Sequence, residues 1–194
     1  MMESYGVIVE GPYEEGVYEE FIRKICPEAR NIRFRTAGGC SQVMKRFPTL
    51  LQSLEHVTDQ GGPVEKALVT RDADCKDPAI IEAKMQESVS RRVFSFSKGV
   101  GYHAVRQETE TWLLADPEAI NRVAASRGGK VVPRVPDQLE NLQDPKGTFK
   151  EVLSRSGLNY TAQVCREIAK ETDLTKLRIR CPSFATFEQK VIDP

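Results

Sequence analysis

The chain has 194 residues, 40% apolar and 29% charged, enough for one sizeable core and at most a small appendage. Its 28 basic residues balance its 28 acidic ones. That excludes a global basic field, so any nucleic-acid role must come from a local basic patch or from metal-mediated phosphate contact.

The five cysteines (Cys26, Cys40, Cys75, Cys165 and Cys181) are odd in number and never spaced as Cys-x-x-Cys. They suit reduced thiols better than a zinc site or a disulfide framework. No apolar run approaches the roughly 20 residues that cross a bilayer. The opening Met-Met-Glu-Ser-Tyr-Gly lacks the basic and apolar regions of a signal peptide. A cytoplasmic protein without membrane contact is expected.

Taken in order, Tyr5 to Gly11 is an apolar run closed by a carboxylate and a glycine, and reads as a first strand. Val17, Tyr18, Phe21, Ile22 and Ile25 follow a helical period that Pro27 stops. Ile32, Phe34 and Thr36 alternate as a second strand, ended by Gly38-Gly39. Ser41 can cap a helix with an apolar face from Val43 to Val57, and Pro48 is expected to kink it. After the breaker Gly61-Gly62-Pro63, Ala67 to Thr70 form a third strand. Asp77-Pro78 opens a helix running to about Val89. Arg92–Ser97 and Tyr102–Gln107 both read as strands. The β-α-β-α-β-α-β order implies an α/β fold with a mostly parallel sheet flanked by helices. From Glu108 onward the pattern is helical, broken by an irregular stretch from Arg127 to Pro136. The division is a core over residues 1–107 and a helical C-terminal part over 108–194.

The chemistry gathers at strand ends. Ala67-Leu68-Val69-Thr70-Arg71-Asp72-Ala73-Asp74 is an apolar run ending in two carboxylates one residue apart. On an extended segment they point the same way and can share a hard cation such as Mg²⁺. The bland reading is a solvated turn, which Asp favours. Glu10, at the end of the first strand, is a second carboxylate of the same kind. First and third strands are commonly neighbours in such sheets, so the three can converge where α/β sheets collect ligands. Gly11 would let backbone approach a phosphate closely; otherwise Glu10-Gly11 is an ordinary strand-to-helix turn.

Glu10-Gly11 after one strand and Asp72-x-Asp74 after another resemble the Toprim domain of topoisomerases, primases and overcoming-lysogenization-defect (OLD) family nucleases. Glu10-Gly-Pro-Tyr-Glu14 is similar to a Glu-Gly-x-Thr-Glu signature, with Tyr13 where a small hydroxyl residue is usual. Glu108-Thr-Glu110-Thr-Trp112-Leu-Leu-Ala-Asp116 looks like the Glu-x-Glu-x-Trp-Leu-Leu-Ala-Asp block of the Toprim-like domain-of-unknown-function family 4276. Asp144-Pro145-Lys146 and Cys181-Pro-Ser183-Phe184-x-x-Phe187 also fit that family's pattern.

The resemblance implies a Toprim-like core and Mg²⁺- or Mn²⁺-dependent phosphoryl transfer on nucleic acid, DNA or RNA. Asp72 and Asp74 would hold the ion, and Glu10 would act as general acid/base or further ligand. Glu108 and Glu110 would form a second acidic pair for a second ion. Gly11, Lys146 and Arg106 are candidate substrate contacts. The resemblance also implies a separately encoded ATPase partner in a defence system, since Toprim nucleases often act beside one; the chain has no Gly-x-x-x-x-Gly-Lys-Ser/Thr loop of its own. The alternatives are a non-catalytic metal, nucleotide or nucleic-acid binding module, or a partner subunit of that ATPase.

Several residues have bland readings alongside. Glu108 and Glu110 suit the first turn of a helix. Trp112, His56 and His103 read as structural, Asp116 as an N-cap, and Cys75 as a small filler. Lys146 reads by default as an exposed loop lysine, ahead of a phosphate contact. Arg71, Arg91, Arg92, Lys98 and Arg106 form either a basic rim or a mixed-charge solvated face.

Overall fold

The computed structural model describes residues 3–57, 62–132 and 134–193. Met1, Met2, Gly61 and Pro133, on which parts of the sequence reading fall, lie outside the described residues. Four parallel strands, β1 (Glu3–Val9), β2 (Ala29–Thr36), β3 (Lys66–Asp72) and β4 (Val100–Val105), form one sheet in the order β2-β1-β3-β4. Helices α1 (Pro12–Ile25), α2 (Cys40–Glu55) and α3 (Pro78–Ser88) make the crossovers. The expected α/β architecture holds, with helices flanking a parallel sheet and a helical C-terminal region, and it is consistent with a Toprim-like fold.

Strand alternation divides the core. Tyr5, Val7 and Val9 of β1, with Leu68 and Val105, face α1 and the later helices. Ile8, Ala67, Val69, Tyr102 and Ala104 face α2 and α3. Strands buried on both sides need near-continuous apolar sequence, which is why β1 and β3 are legible as runs. The later helices are α4 (Glu110–Leu113), α5 (Pro117–Ser126), α6 (Pro145–Arg155), α7 (Ala162–Glu171), α8 (Leu174–Arg180) and α9 (Phe184–Ile192). Trp112 stands at the centre of the larger cluster, 1% exposed, with Tyr18, Phe21, Phe184 and Phe187 around it at 5.0–6.0 Å between ring centroids. His103 is buried in the same aromatic group. Both therefore pack as the sequence suggests.

Some local expectations fail. Arg92–Ser97 is not a strand. Its Phe94 and Phe96 stack on each other at 6.1 Å and join the core beneath α2 and α3. The Ser95 N–H and hydroxyl donate to Glu55 Oε1 rather than to a strand partner. β4 starts two residues before Tyr102 and stops at Val105, so Arg106 and Gln107 belong to the following loop. α2 starts at Cys40 behind Gly39, whose φ of 111° suits glycine alone, and Ser41 does not cap it. The helix runs through Pro48 without interruption. Asp77 and Asp116 do cap α3 and α5, accepting from Ala79 N and Glu118 N.

Candidate metal centre

The chain runs from β1 to one edge of the sheet and from β3 to the other, so the strand order reverses between their carboxyl ends. Ligands of open α/β sheets bind at such a switch point. Glu10 follows β1, Asp72 ends β3, and Glu14 lies in the first turn of α1. One carboxylate oxygen from each of these three residues lies within 4.8 Å of the other two.

Each carboxylate is fixed by donors of its own. Glu10 Oε1 accepts from the Asp72 backbone N–H at 2.9 Å, a bond that ties the two strand ends together. Glu14 Oε2 turns back to accept the Glu10 and Gly11 N–H groups at 2.8 and 3.1 Å. Those N–H groups would otherwise lack partners at a helix start. Asp72 Oδ1 accepts both the backbone N–H and the hydroxyl of Thr109, at 3.0 and 3.1 Å, just before α4. These bonds use one oxygen of each group and leave the second outside them. A pocket built this way presents hard oxygen donors in a preset arrangement.

Three acids so close are costly to ionise together. Burial pushes Asp72 well above the usual carboxylate range, and the charges of Glu14, Glu10 and Glu110 add to the shift. Burial likewise raises Glu14 to about 7, with the Gly11 N–H opposing and Glu10 adding. Glu10 is raised by burial against the opposing bond from Asp72 N. A divalent cation would reverse this balance.

The other sequence candidates occupy different places. The extended geometry assumed for Asp72-x-Asp74 is not what forms. β3 stops at Asp72, and Asp74 and Cys75 adopt left-handed backbone, φ 48° and 63°. Asp72 is buried, while exposed Asp74 accepts from Cys40 Sγ at 3.1 Å and lies outside the three-residue set, though its charge still reaches Glu10. Among the described residues the third non-glycine with positive φ is Gln107, at 71°. Its carbonyl accepts from Ala73 N at 3.1 Å and Asp74 N at 3.3 Å, so the loops after β3 and β4 clasp each other. Left-handed non-glycine residues cost about 1–2 kcal/mol, and strain of this kind concentrates at functional sites.

Glu108 and Glu110 also lie outside the three-carboxylate set. Glu108 Oε2 accepts from Lys146 N at 2.8 Å. Glu110 is buried; its Oε1 accepts from Tyr160 OH at 2.6 Å and pairs with Lys146 Nζ at 3.1 Å. Its charge still reaches Asp72 and Glu14. Burial pulls the Lys146 ammonium down, but Glu110, Glu108 and Asp72 outweigh it, so the group is held charged. Gly11 N–H is engaged by Glu14, and a Cβ on Gly11 would meet no atom within 4 Å. Arg106 is exposed and lines a separate polar cleft of about 390 Å³ with Cys75, Lys76 and Asp77.

Glu14 is the site residue that sequence reasoning passed over. It was visible as the last residue of the Glu10-Gly-Pro-Tyr-Glu14 signature, yet nothing in the spacing shows that a first-turn glutamate folds back over its own helix start.

A family described as Domain of unknown function (DUF4276) matches residues 9–192, from the last residue of β1 through α9. The chain belongs to this family. The DUF4276 match contains Glu10, Glu14, Asp72, Thr109, Glu110 and Lys146, so the whole candidate centre lies inside it. No curated protein and no solved structure matches the chain. No helix among the described residues is long and apolar enough to cross a membrane.

Proposed function

We propose that this DUF4276 protein is a Mg²⁺- or Mn²⁺-dependent phosphoryl-transfer enzyme of the Toprim type, a nuclease acting on DNA or RNA. The observation that carries the reading is the meeting of Glu10, Glu14 and Asp72 within 4.8 Å at the carboxyl ends of two adjacent parallel strands. The donor set fits the ion: all three are hard oxygens, and each is oriented by a backbone or hydroxyl donor. When bound, the ion supplies Lewis-acid stabilisation of charge developing on phosphate oxygens.

The chain's own groups divide the remaining work. Glu10, Glu14 and Asp72 hold the cation, and Thr109 keeps Asp72 aimed. The Toprim resemblance gives Glu10 the general acid/base role as the alternative to holding the cation. Lys146, held charged beside Glu110, meets the negative charge of a phosphate. The resemblance to Toprim and OLD nucleases also supports a separately encoded ATPase as partner and a role in defence. The free thiols suit a cytoplasmic setting.

The test is incubation of the full chain with plasmid, single-stranded DNA and RNA in Mg²⁺ or Mn²⁺, beside Asp72→Asn and Glu14→Gln. Cleavage by wild type that both variants lose is expected. Wild type cleaving no more than Asp72→Asn, across all substrates and both ions, overturns the nuclease reading.

A further inference from the structure

Tyr13 and Tyr160 form a stack near the acidic centre: Tyr160 bonds Glu110 and feels the charge of Glu14. The two tyrosine rings are 5.1 Å apart at an interplanar angle of 7°. Tyr13 is the second residue of α1, immediately before Glu14, and is 44% exposed. Among the described residues its only ring partner is Tyr160. Tyr160 is half-buried and held from behind, its hydroxyl bonded to Glu110 Oε1 and Phe149 edge-on to its ring at 6.1 Å. Lys146 and Lys150, one turn apart on α6, place their ammoniums 5.7 and 5.1 Å from the Tyr160 centroid. Lys150 is exposed, and among the described residues its ammonium has no hydrogen bond or ion pair, only the Tyr160 ring.

An exposed tyrosine fixed parallel to a second, anchored ring has lost its rotamer freedom before any ligand arrives. That lowers the cost of stacking something on its outer face. Lys146 and Lys150, whose ammoniums lie over the Tyr160 ring, supply charge that suits a phosphodiester. Flat aromatic surface next to backbone-tracking cations is how proteins hold unpaired bases. A duplex cannot use it, because its bases are already stacked on each other.

We propose that Tyr13 and Tyr160, with Lys150, form a stacking platform that takes a base of a single-stranded nucleic acid and leads the strand to the acidic centre. The assignment deepens the nuclease reading and rests on it for the strand's destination. Tyr13 is a specificity residue here, and it does not touch the reacting phosphate.

The experiment is fluorescence anisotropy with a labelled 12-nucleotide single strand, the blunt duplex of the same sequence, and a labelled mononucleotide. The full chain is used, with EDTA in one arm and Ca²⁺ in the other. The single strand is expected to bind at least about tenfold more tightly than the duplex or the mononucleotide. Tyr13→Ala should weaken the strand about fivefold to a hundredfold, the loss of one stacked base, and Tyr13→Trp should retain it. Lys150→Gln should lower the salt dependence by about one phosphate contact. Melting curves show whether Tyr13→Ala folds as wild type does; Tyr13→Ser is the second variant if it does not. Equal affinity for duplex and strand, mononucleotide binding as tight as the strand, undetectable strand binding in both arms, or full binding by the folded Tyr13 variant overturns the platform. If Mg²⁺ leaves the melting temperature unchanged while Tyr13-dependent strand binding persists, the metal centre fails and the platform stands. The opposite pattern removes the platform alone.

Discussion

Thr109 gives both its backbone N–H and its hydroxyl to Asp72 Oδ1, at 3.0 and 3.1 Å, although the two residues are 37 positions apart. This pair joins the end of β3 to the start of the helical C-terminal region and fixes the most buried carboxylate of the centre. Thr109→Val keeps the shape and the N–H but removes the hydroxyl donor. A loss of about 1–3 kcal/mol of stability is expected in urea melts, because a buried carboxylate loses a partner. Ion affinity should fall about tenfold to a hundredfold, as for other groups that orient ligands. Unchanged ion affinity would make Thr109 a folding residue only.

Ion binding should register as stability. At about one hundred times its Kd, Mg²⁺ would add about 2.7 kcal/mol. For a chain of this length that is a rise of roughly 5–10 °C in melting temperature. Asp72→Asn should abolish the shift and exposed Asp74→Ala should largely preserve it. The reverse ranking would return the centre to the Asp72-x-Asp74 pair.

Glu14, raised to about 7 by burial, makes stability depend on pH. From its ordinary 4.5 up to about 7 the folded state holds a proton that the unfolded chain has released. Stability from this group is therefore full below about 4.5, falls as pH rises through about 7, and is flat above. Its size is at most about 3 kcal/mol. Burial lowers His103 from 6.5 and drives stability the other way, down as pH falls below that value. The comparison must therefore be wild type against Glu14→Gln, in EDTA, between pH 5 and 8. Wild type should lose stability relative to the variant as pH rises, and Mg²⁺ should flatten the difference. Parallel curves in EDTA would mean that Glu14 ionises normally.

Lys66, at the start of β3 and 2% exposed, donates to the carbonyls of Val191 and Ile192 at 2.7 and 2.6 Å. It closes the last turn of α9 against the sheet, where α9 carbonyls have no helical partners. Lys66→Met should cost about 1–3 kcal/mol and speed amide exchange in α9 first. Exchange that accelerates uniformly across the chain would argue against this local role.

Much of the scaffold was readable beforehand because parallel strands buried on both faces are continuous apolar runs, as at Tyr5–Val9 and Ala67–Thr70. Asp77-Pro78 and Asp116-Pro117 likewise announced helix starts through capping chemistry that is local in sequence. Arg92–Ser97 misled because its alternating phenylalanines satisfy a core without strand pairing. The candidate centre was half legible. Glu10 and Asp72 sit where strand ends predict, whereas Asp74 takes a left-handed backbone that its sequence does not advertise and lies outside the three-carboxylate set.

Periodicity and local capping are enough to set the alternation of strands and helices, the placement of carboxylates at strand ends, and the aromatic positions that became core. The tertiary structure decided which acids meet. Glu14 enters the centre because α1 starts beside the Asp72 strand end and the side chain folds back to the Glu10 and Gly11 N–H groups. Glu110 is drawn to Tyr160 and Lys146 because α4, α6 and the segment before α7 pack together. Those partners come from residues up to 50 positions away, and distances of that kind are set by packing, which no local pattern encodes.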